Sequence, residues 1–112
     1  MTLTLTERRR TSDELRRNLA LSGLTEQQVA DELGYTASRL WSALEVDHAD
    51  AVDIWQLRDQ LEQAAADAGA VPVAYRVLTE ESRAAARTWF RLRPAPRRVA
   101  AKRADGRVEA RS

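Results

Sequence analysis

The sequence predicts an all-α fold: a five-helix bundle with a central helix-turn-helix, a short extended arm before the last helix and a disordered basic C-terminal tail. The composition is rich in alanine and poor in glycine, which favours helices over sheet. Apolar residues recur at helical spacing up to residue 92, and capping residues precede these stretches. Residues 93–112 are rich in arginine and have almost nothing to bury, so the predicted helical domain spans residues 1–92.

The first helix is predicted to span residues 5–21. Thr4 with Glu7, or Thr11 with Glu14, has the spacing of a capping box, in which side chains satisfy the free backbone amides of a helix start. The apolar side chains expected inside are Leu15 and Leu19, with Leu5 and Leu21 as further candidates. The arginines expected to stay solvated are Arg8, Arg9, Arg16 and Arg17.

Two short helices are predicted next, over residues 26–33 and 37–45. Thr25 and Gln28 form a second capping box, and Thr36 is a suitable N-cap for the later helix. Gly34 lies between them, where a glycine can adopt the left-handed conformation of a sharp helix exit. The residues expected to face the core are Val29, Ala30, Leu33, Leu40, Ala43 and Leu44.

The longest helix is predicted over residues 51–68, with Asp50 as its N-cap and Gly69 closing it. Its inward stripe is Ile54, Leu57, Leu61, Ala64 and Ala68. Residues 71–78 contain a proline and alternate in polarity, so they are predicted to be extended, either as a packed arm or as an edge strand for a partner copy. A last helix follows over residues 79–91, burying Ala85, Trp89 and either Phe90 or Leu92.

The region around Gly34 resembles the helix-turn-helix of phage repressors of the Cro and cI class. Ala30, four residues before the glycine, is small enough for two helices to approach closely, and the apolar positions fall where such motifs bury side chains. Over residues 3–90 the chain also resembles a bacterial family, the domain of unknown function 2316. That resemblance is carried by LSGLT (21–25), VDIWQLRDQL (52–61) and PVAYRVL (72–78) ahead of Trp89 and Phe90. The family has no assigned activity.

The repressor resemblance implies a small DNA-binding transcriptional regulator that acts as a homodimer, with residues 37–45 as its recognition helix. The residues it would offer to double-stranded DNA are Thr36, Ser38, Arg39, Ser42 and Gln27. The alternative is a protein-interaction module on the same scaffold. It is favoured by Glu26, where repressors often place a glutamine, and by residues 22–81, which carry twelve acidic and three basic residues. Trp41 and Trp55 are then either interface anchors or partly buried core.

Other functions find little support in the sequence. The chain has no cysteine, and His48, its only histidine, lies in an acidic linker, so we expect no enzymatic activity, metal, cofactor or small-molecule ligand. No stretch reads as a signal peptide or membrane span, so a cytoplasmic location is expected. The stripe of Arg83, Arg87 and Arg91 either follows a phosphate backbone or pairs with the acidic body. The tail either binds nucleic acid, folds back on that body, or stays solvated.

Overall fold

A computed structural model of the chain describes residues 3–89, 95 and 96. Within these residues five helices occur in chain order: α1 (Leu5–Ser22), α2 (Glu26–Leu33), α3 (Ala37–Glu45), α4 (Ala51–Asp67) and α5 (Glu80–Trp89). The part of the chain that the structure describes contains no β-strand. The predicted all-α class is therefore confirmed, with helix bounds close to those expected.

Side chains that bind free backbone amides fix the starts of α1, α2 and α3, whereas Asp50, at the N-cap of α4, makes no side-chain cap hydrogen bond. At α1 the Oγ1 of Thr4 accepts from the amide of Glu7 at 3.1 Å, and the Glu7 carboxylate accepts from the amide of Thr4 at 2.9 Å. The same reciprocal arrangement joins Thr25 and Gln28 at α2. The alternative start at Thr11 is wrong, because Thr11 lies fully buried in the middle of α1.

The core is organised around α4, which packs along α1 and also contacts α3. Leu57 and Leu61 of α4 are completely buried, together with Leu15 of α1 and Leu44 of α3. Trp55 is only 1% exposed and is the largest fully buried side chain among the described residues. The bundle therefore has one continuous apolar core, as a domain of this size requires.

Several expected core positions are wrong. Leu5 and Leu21 are 53% and 39% exposed, because the buried face of α1 follows Thr11, Leu15 and Ser22 at helical spacing and leaves both leucines off that face.

Two further differences concern the ends of the helical stripes. Helix α4 ends at Asp67, and Ala68 is its exposed cap. In α5 the buried alanine is Ala86, whereas the neighbouring Ala85 is exposed. The end of α4 differs by one residue, which is within the usual error of boundary assignment, whereas in α5 the buried face is rotated by one residue from the predicted one.

Residues 70–79 form the predicted arm, packed against α1. The Asn18 side chain donates to the carbonyl of Val73 at 3.1 Å and accepts from its amide at 2.6 Å. The Glu14 carboxylate accepts from the amide of Arg76 at 3.2 Å, and Tyr75 is buried. Polar side chains of α1 thus satisfy backbone groups that a strand would pair, which favours the packed arm over the edge strand.

Some expectations fall outside the described residues. They are the burial of the Trp89 side chain, Phe90 and Leu92, the end of α5 near Arg91, and the disordered tail of residues 93–112 apart from Ala95 and Pro96. Among the described helices, none is both long enough and apolar enough to cross a bilayer.

Candidate functional site

The corner between α2 and α3 is built by a tight turn. Gly34 has φ of 74°, in the left-handed region, and the amide of Tyr35 donates to the carbonyl of Ala30 at 2.9 Å. Thr36 then caps α3, its Oγ1 accepting from the amide of Arg39 at 3.1 Å. Because Ala30 is small and buried, the two helices lie close together and α3 is held with one side facing outward.

The outward side of α3 consists of Ala37, Ser38, Trp41 and Ser42, and we call these four residues the α3 face. Ala37 and Ser38 are exposed, Trp41 is 52% exposed, and Ser42 is half-buried. The opposite side of α3 is buried through Leu40, Ala43 and Leu44. The helix therefore presents a short, mostly small and polar surface with one large aromatic ring in it.

Arg39 does not extend outward as the sequence suggested. Its Nε and one terminal nitrogen each donate to the Asp53 carboxylate at 2.8 Å, and its guanidinium lies 4.0 Å from the centre of the Tyr35 ring. The hydrogen bond to Asp53 raises the pKa of Arg39, so its positive charge is held firmly. In this geometry the Arg39 guanidinium joins α3 to α4, and its contact with DNA stays a prediction.

The remaining predicted site residues divide between surface and core. Gln27 is exposed, and its amide donates to Asp31 at 2.8 Å; Thr36 is exposed while it caps α3. Trp55 is a core residue, which agrees with the second of its two sequence interpretations, and the guanidinium of Arg83 lies 4.9 Å from its ring. Its burial is evidence against the interface interpretation, because a side chain with 1% exposure offers no surface to a partner.

Charge around the α2–α3 corner is mostly neutralised or negative. Between residues 24 and 46 the sequence has four acidic residues and one basic residue, the internally bound Arg39. Arg16 of α1, expected to be solvated, forms ion pairs with Glu45 and, at 3.8 Å, with Glu26. Neither Arg39 nor Arg16 therefore supplies an unpaired positive charge beside the α3 face.

Unpaired positive charge is found instead at the beginning of α1. Arg8 and Arg9 line a cavity of about 340 Å³ together with Glu45, Val46 and Asp47 at the end of α3. Within the described residues neither arginine forms an ion pair. We call Arg8 and Arg9 the α1 shoulder. No local sequence signal places it beside α3, because the two segments are more than 30 residues apart.

A second polar cluster joins α4, the arm and α5. Arg58 is 6% exposed and donates to the carbonyl of Leu78 at 2.9 Å, to Asp59 at 2.9 Å and to Glu62 at 3.1 Å. Arg83 pairs with Asp59 as well, and this hydrogen bond raises its pKa. Of the two sequence interpretations of the arginine stripe, pairing with the acidic body is therefore the one observed for Arg83. Arg91 lies outside the described residues.

Tyr75 lies beneath the same cluster. The guanidinium of Arg58 is 4.8 Å from its ring, and burial raises the pKa of Tyr75 to about 12. This contact between a buried tyrosine and a buried arginine stabilises the packing of the arm on α4.

The fold and this corner define a small all-helical protein with an outward-facing third helix. Over residues 1–91 the chain matches the family described as an uncharacterized protein conserved in bacteria, the domain of unknown function 2316. The chain belongs to that family, in agreement with the resemblance noted from its sequence. No curated protein and no solved structure matches it.

Proposed function

We propose that this protein is a small helix-turn-helix DNA-binding regulator of transcription, in which α2 and α3 form the motif and α3 is the recognition helix. The observation that carries the proposal is the exposed α3 face on a helix whose C-terminal end, at Glu45, lines one cavity with the unpaired α1 shoulder. A recognition helix needs an outward surface that enters the major groove, and cations at its flank that neutralise phosphates.

The two surfaces have different roles in this proposal. The hydroxyl groups of Ser38 and Ser42 form hydrogen bonds with base edges, and Gln27 and Thr36 contact the DNA backbone. Arg8 and Arg9 contact phosphates beside the end of α3. Because serine side chains are short and the motif itself is acidic, affinity for one site is low. We therefore expect a homodimer that reads two half-sites about one helical turn apart.

The test measures how salt weakens binding of a fluorescent duplex, by anisotropy. Each phosphate contact contributes about −0.9 to the slope of log affinity against log salt, so the α1 shoulder gives about −2 per chain and about −4 per dimer. To remove binding by the tail, its cations are changed to glutamine. These residues are Arg93, Arg97, Arg98, Lys102, Arg103, Arg107 and Arg111. We call this variant the tail-neutral chain.

In the tail-neutral chain, Arg8→Gln with Arg9→Gln is expected to abolish most of the salt slope. The matched control is Arg76→Gln with Arg87→Gln, because both of these arginines are exposed and form no ion pair within the described residues. The control pair should leave the slope unchanged. If the tail-neutral chain does not bind duplex DNA even at low salt, the proposal is wrong.

A second function, protein interaction through the α3 face, is favoured by Trp41. A tryptophan that is 52% exposed in the centre of a small surface is typical of an interface anchor, and the acidic surroundings are unfavourable for phosphate. A second copy of the chain is the partner to test first. If Trp41→Ala lowers self-association in sedimentation experiments and leaves duplex affinity unchanged, the interaction function is supported. If it changes only duplex affinity, the DNA function is supported.

A further inference from the structure

A groove of about 500 Å³ runs along α4 on the side of the Arg58–Arg83 cluster. Its walls are formed by α4 between Arg58 and Asp67, by residues of α5, and by Ala95 and Pro96. We call it the α4 groove. It is separate from the α3 face, and neither the family description nor the proposed DNA contact gives it a role.

The α4 groove carries more negative than positive charge. Its lining includes four carboxylates and two guanidinium groups. The guanidinium groups are withdrawn from solvent: the Arg58 side chain is 7% exposed and the Arg83 side chain 15%. The carboxylates of Glu62 and Glu80 are more open, at 45% and 72% exposure. The accessible charge of the groove therefore favours a cationic occupant.

A buried side chain in the groove wall also lacks a hydrogen-bond donor. Gln60 is 1% exposed, and its amide nitrogen donates to Glu32 at 2.6 Å. Its Oε1 atom accepts no hydrogen bond within the described residues. An unsatisfied buried acceptor is costly, so a donor group is expected to reach it. Guanidinium groups offer five N–H donors and would serve both this oxygen and the carboxylates.

The chain itself brings such groups to the groove. Ala95 and Pro96 line it, and the next residues in the sequence are Arg97 and Arg98. Residues 97–112 contain six basic and two acidic residues, a net charge of +4. Fully extended, 16 residues span about 50 Å, twice the roughly 25 Å length of α4. Tethering at the groove gives this segment a high effective concentration there.

From these observations we infer that the α4 groove binds the C-terminal segment of the same chain, residues 97–112. Arg97 and Arg98 pair with its carboxylates and donate to the Oε1 of Gln60. The bound segment covers the groove, and its cations are then withheld from other polyanions. This contact does not depend on DNA binding by α3.

The test is an NMR relaxation experiment on the full ¹⁵N-labelled chain at low salt. A bound segment gives backbone order parameters of about 0.7 to 0.85 at residues 97–104, whereas a free tail stays below about 0.6. Raising salt to about 0.5 M should lower the order parameters to the free-tail range, because the pairing is electrostatic. Changing Arg97 and Arg98 together to Gln should also shift the side-chain amide signals of Gln60.

Two matched variants separate groove binding from a general charge effect. Asp67→Lys reverses a groove charge, and Asp31→Lys reverses an exposed charge in the last turn of α2. Both place a cation near a helix C-terminus, where it is tolerated by the fold. Asp67→Lys should release residues 97–104, and Asp31→Lys should not. The inference is overturned if residues 97–104 are equally flexible at low salt in the unmodified chain and in both variants. It is also overturned if the ordering of these residues depends on protein concentration.

Discussion

Asp53→Asn is expected to lower the free energy of unfolding by about 2 kcal/mol. It removes the charge that receives two 2.8 Å hydrogen bonds from Arg39, and hydrogen bonds to charged groups contribute about 1.5 to 3 kcal/mol each. We reduce that sum because the Arg39 side chain is 39% exposed and regains water when released. Loss of a negative charge in the first turn of α4 adds about 0.5 kcal/mol.

The measurement is urea unfolding followed by tryptophan fluorescence, in a double-mutant cycle with Arg39→Met. Methionine keeps an apolar stem over Tyr35 while removing the charge. The two substitutions should show a coupling energy of about 1 to 2 kcal/mol. A coupling below about 0.3 kcal/mol would show that the pair does not form in solution, and Arg39 would again be available to DNA. If α3 does contact DNA, Asp53→Asn should also steepen the salt slope by about 0.9, because it releases a cation.

Three further predictions concern stability. The pKa of Tyr75 is about 12 in the folded chain and 10.0 when unperturbed, so its ionisation leaves the free energy of unfolding unchanged well below pH 10. That free energy should fall by about 2 kcal/mol as the pH rises to 12, in urea titrations, and Tyr75→Phe should remove that fall. Gly34→Ala should cost about 1 to 2 kcal/mol because φ is 74°, although a Cβ there meets no atom within 4 Å; Gly34→Asn should cost less. Trp55→Ala should cost about 3 to 5 kcal/mol and Trp41→Ala about 1, and equal costs would contradict the burial difference.

The helices could be predicted from the sequence because their signals are local. Capping residues such as Thr25 and Thr36, and the turn glycine Gly34, act within a few residues of where they stand. The prediction that Leu5 and Leu21 are buried is wrong because burial, unlike capping, is not decided locally. Hydrophobicity marks them as core candidates, but only the packing of α1 on α4 decides which face is covered.

The candidate site could be predicted only in part, because its chemistry depends on contacts between distant segments. Arg39 is the single basic residue of α3, yet Asp53, fourteen positions later, determines where its guanidinium lies. Arg16 is bound by Glu45 in the same way, while Arg8 remains unpaired beside α3. Periodicity identifies which residues are on a surface; it does not identify which opposite charge each one meets.

The most direct test of the proposed function is an NMR titration of the full ¹⁵N-labelled chain with a short mixed-sequence DNA duplex at about 50 mM salt. If α3 is the recognition helix, amide signals of Ser38 and Ser42 should shift or broaden, together with those of Arg8 and Arg9 at the α1 shoulder. The same residues should respond in the tail-neutral chain. If only signals after residue 96 change, or if no signal changes, α3 does not bind DNA.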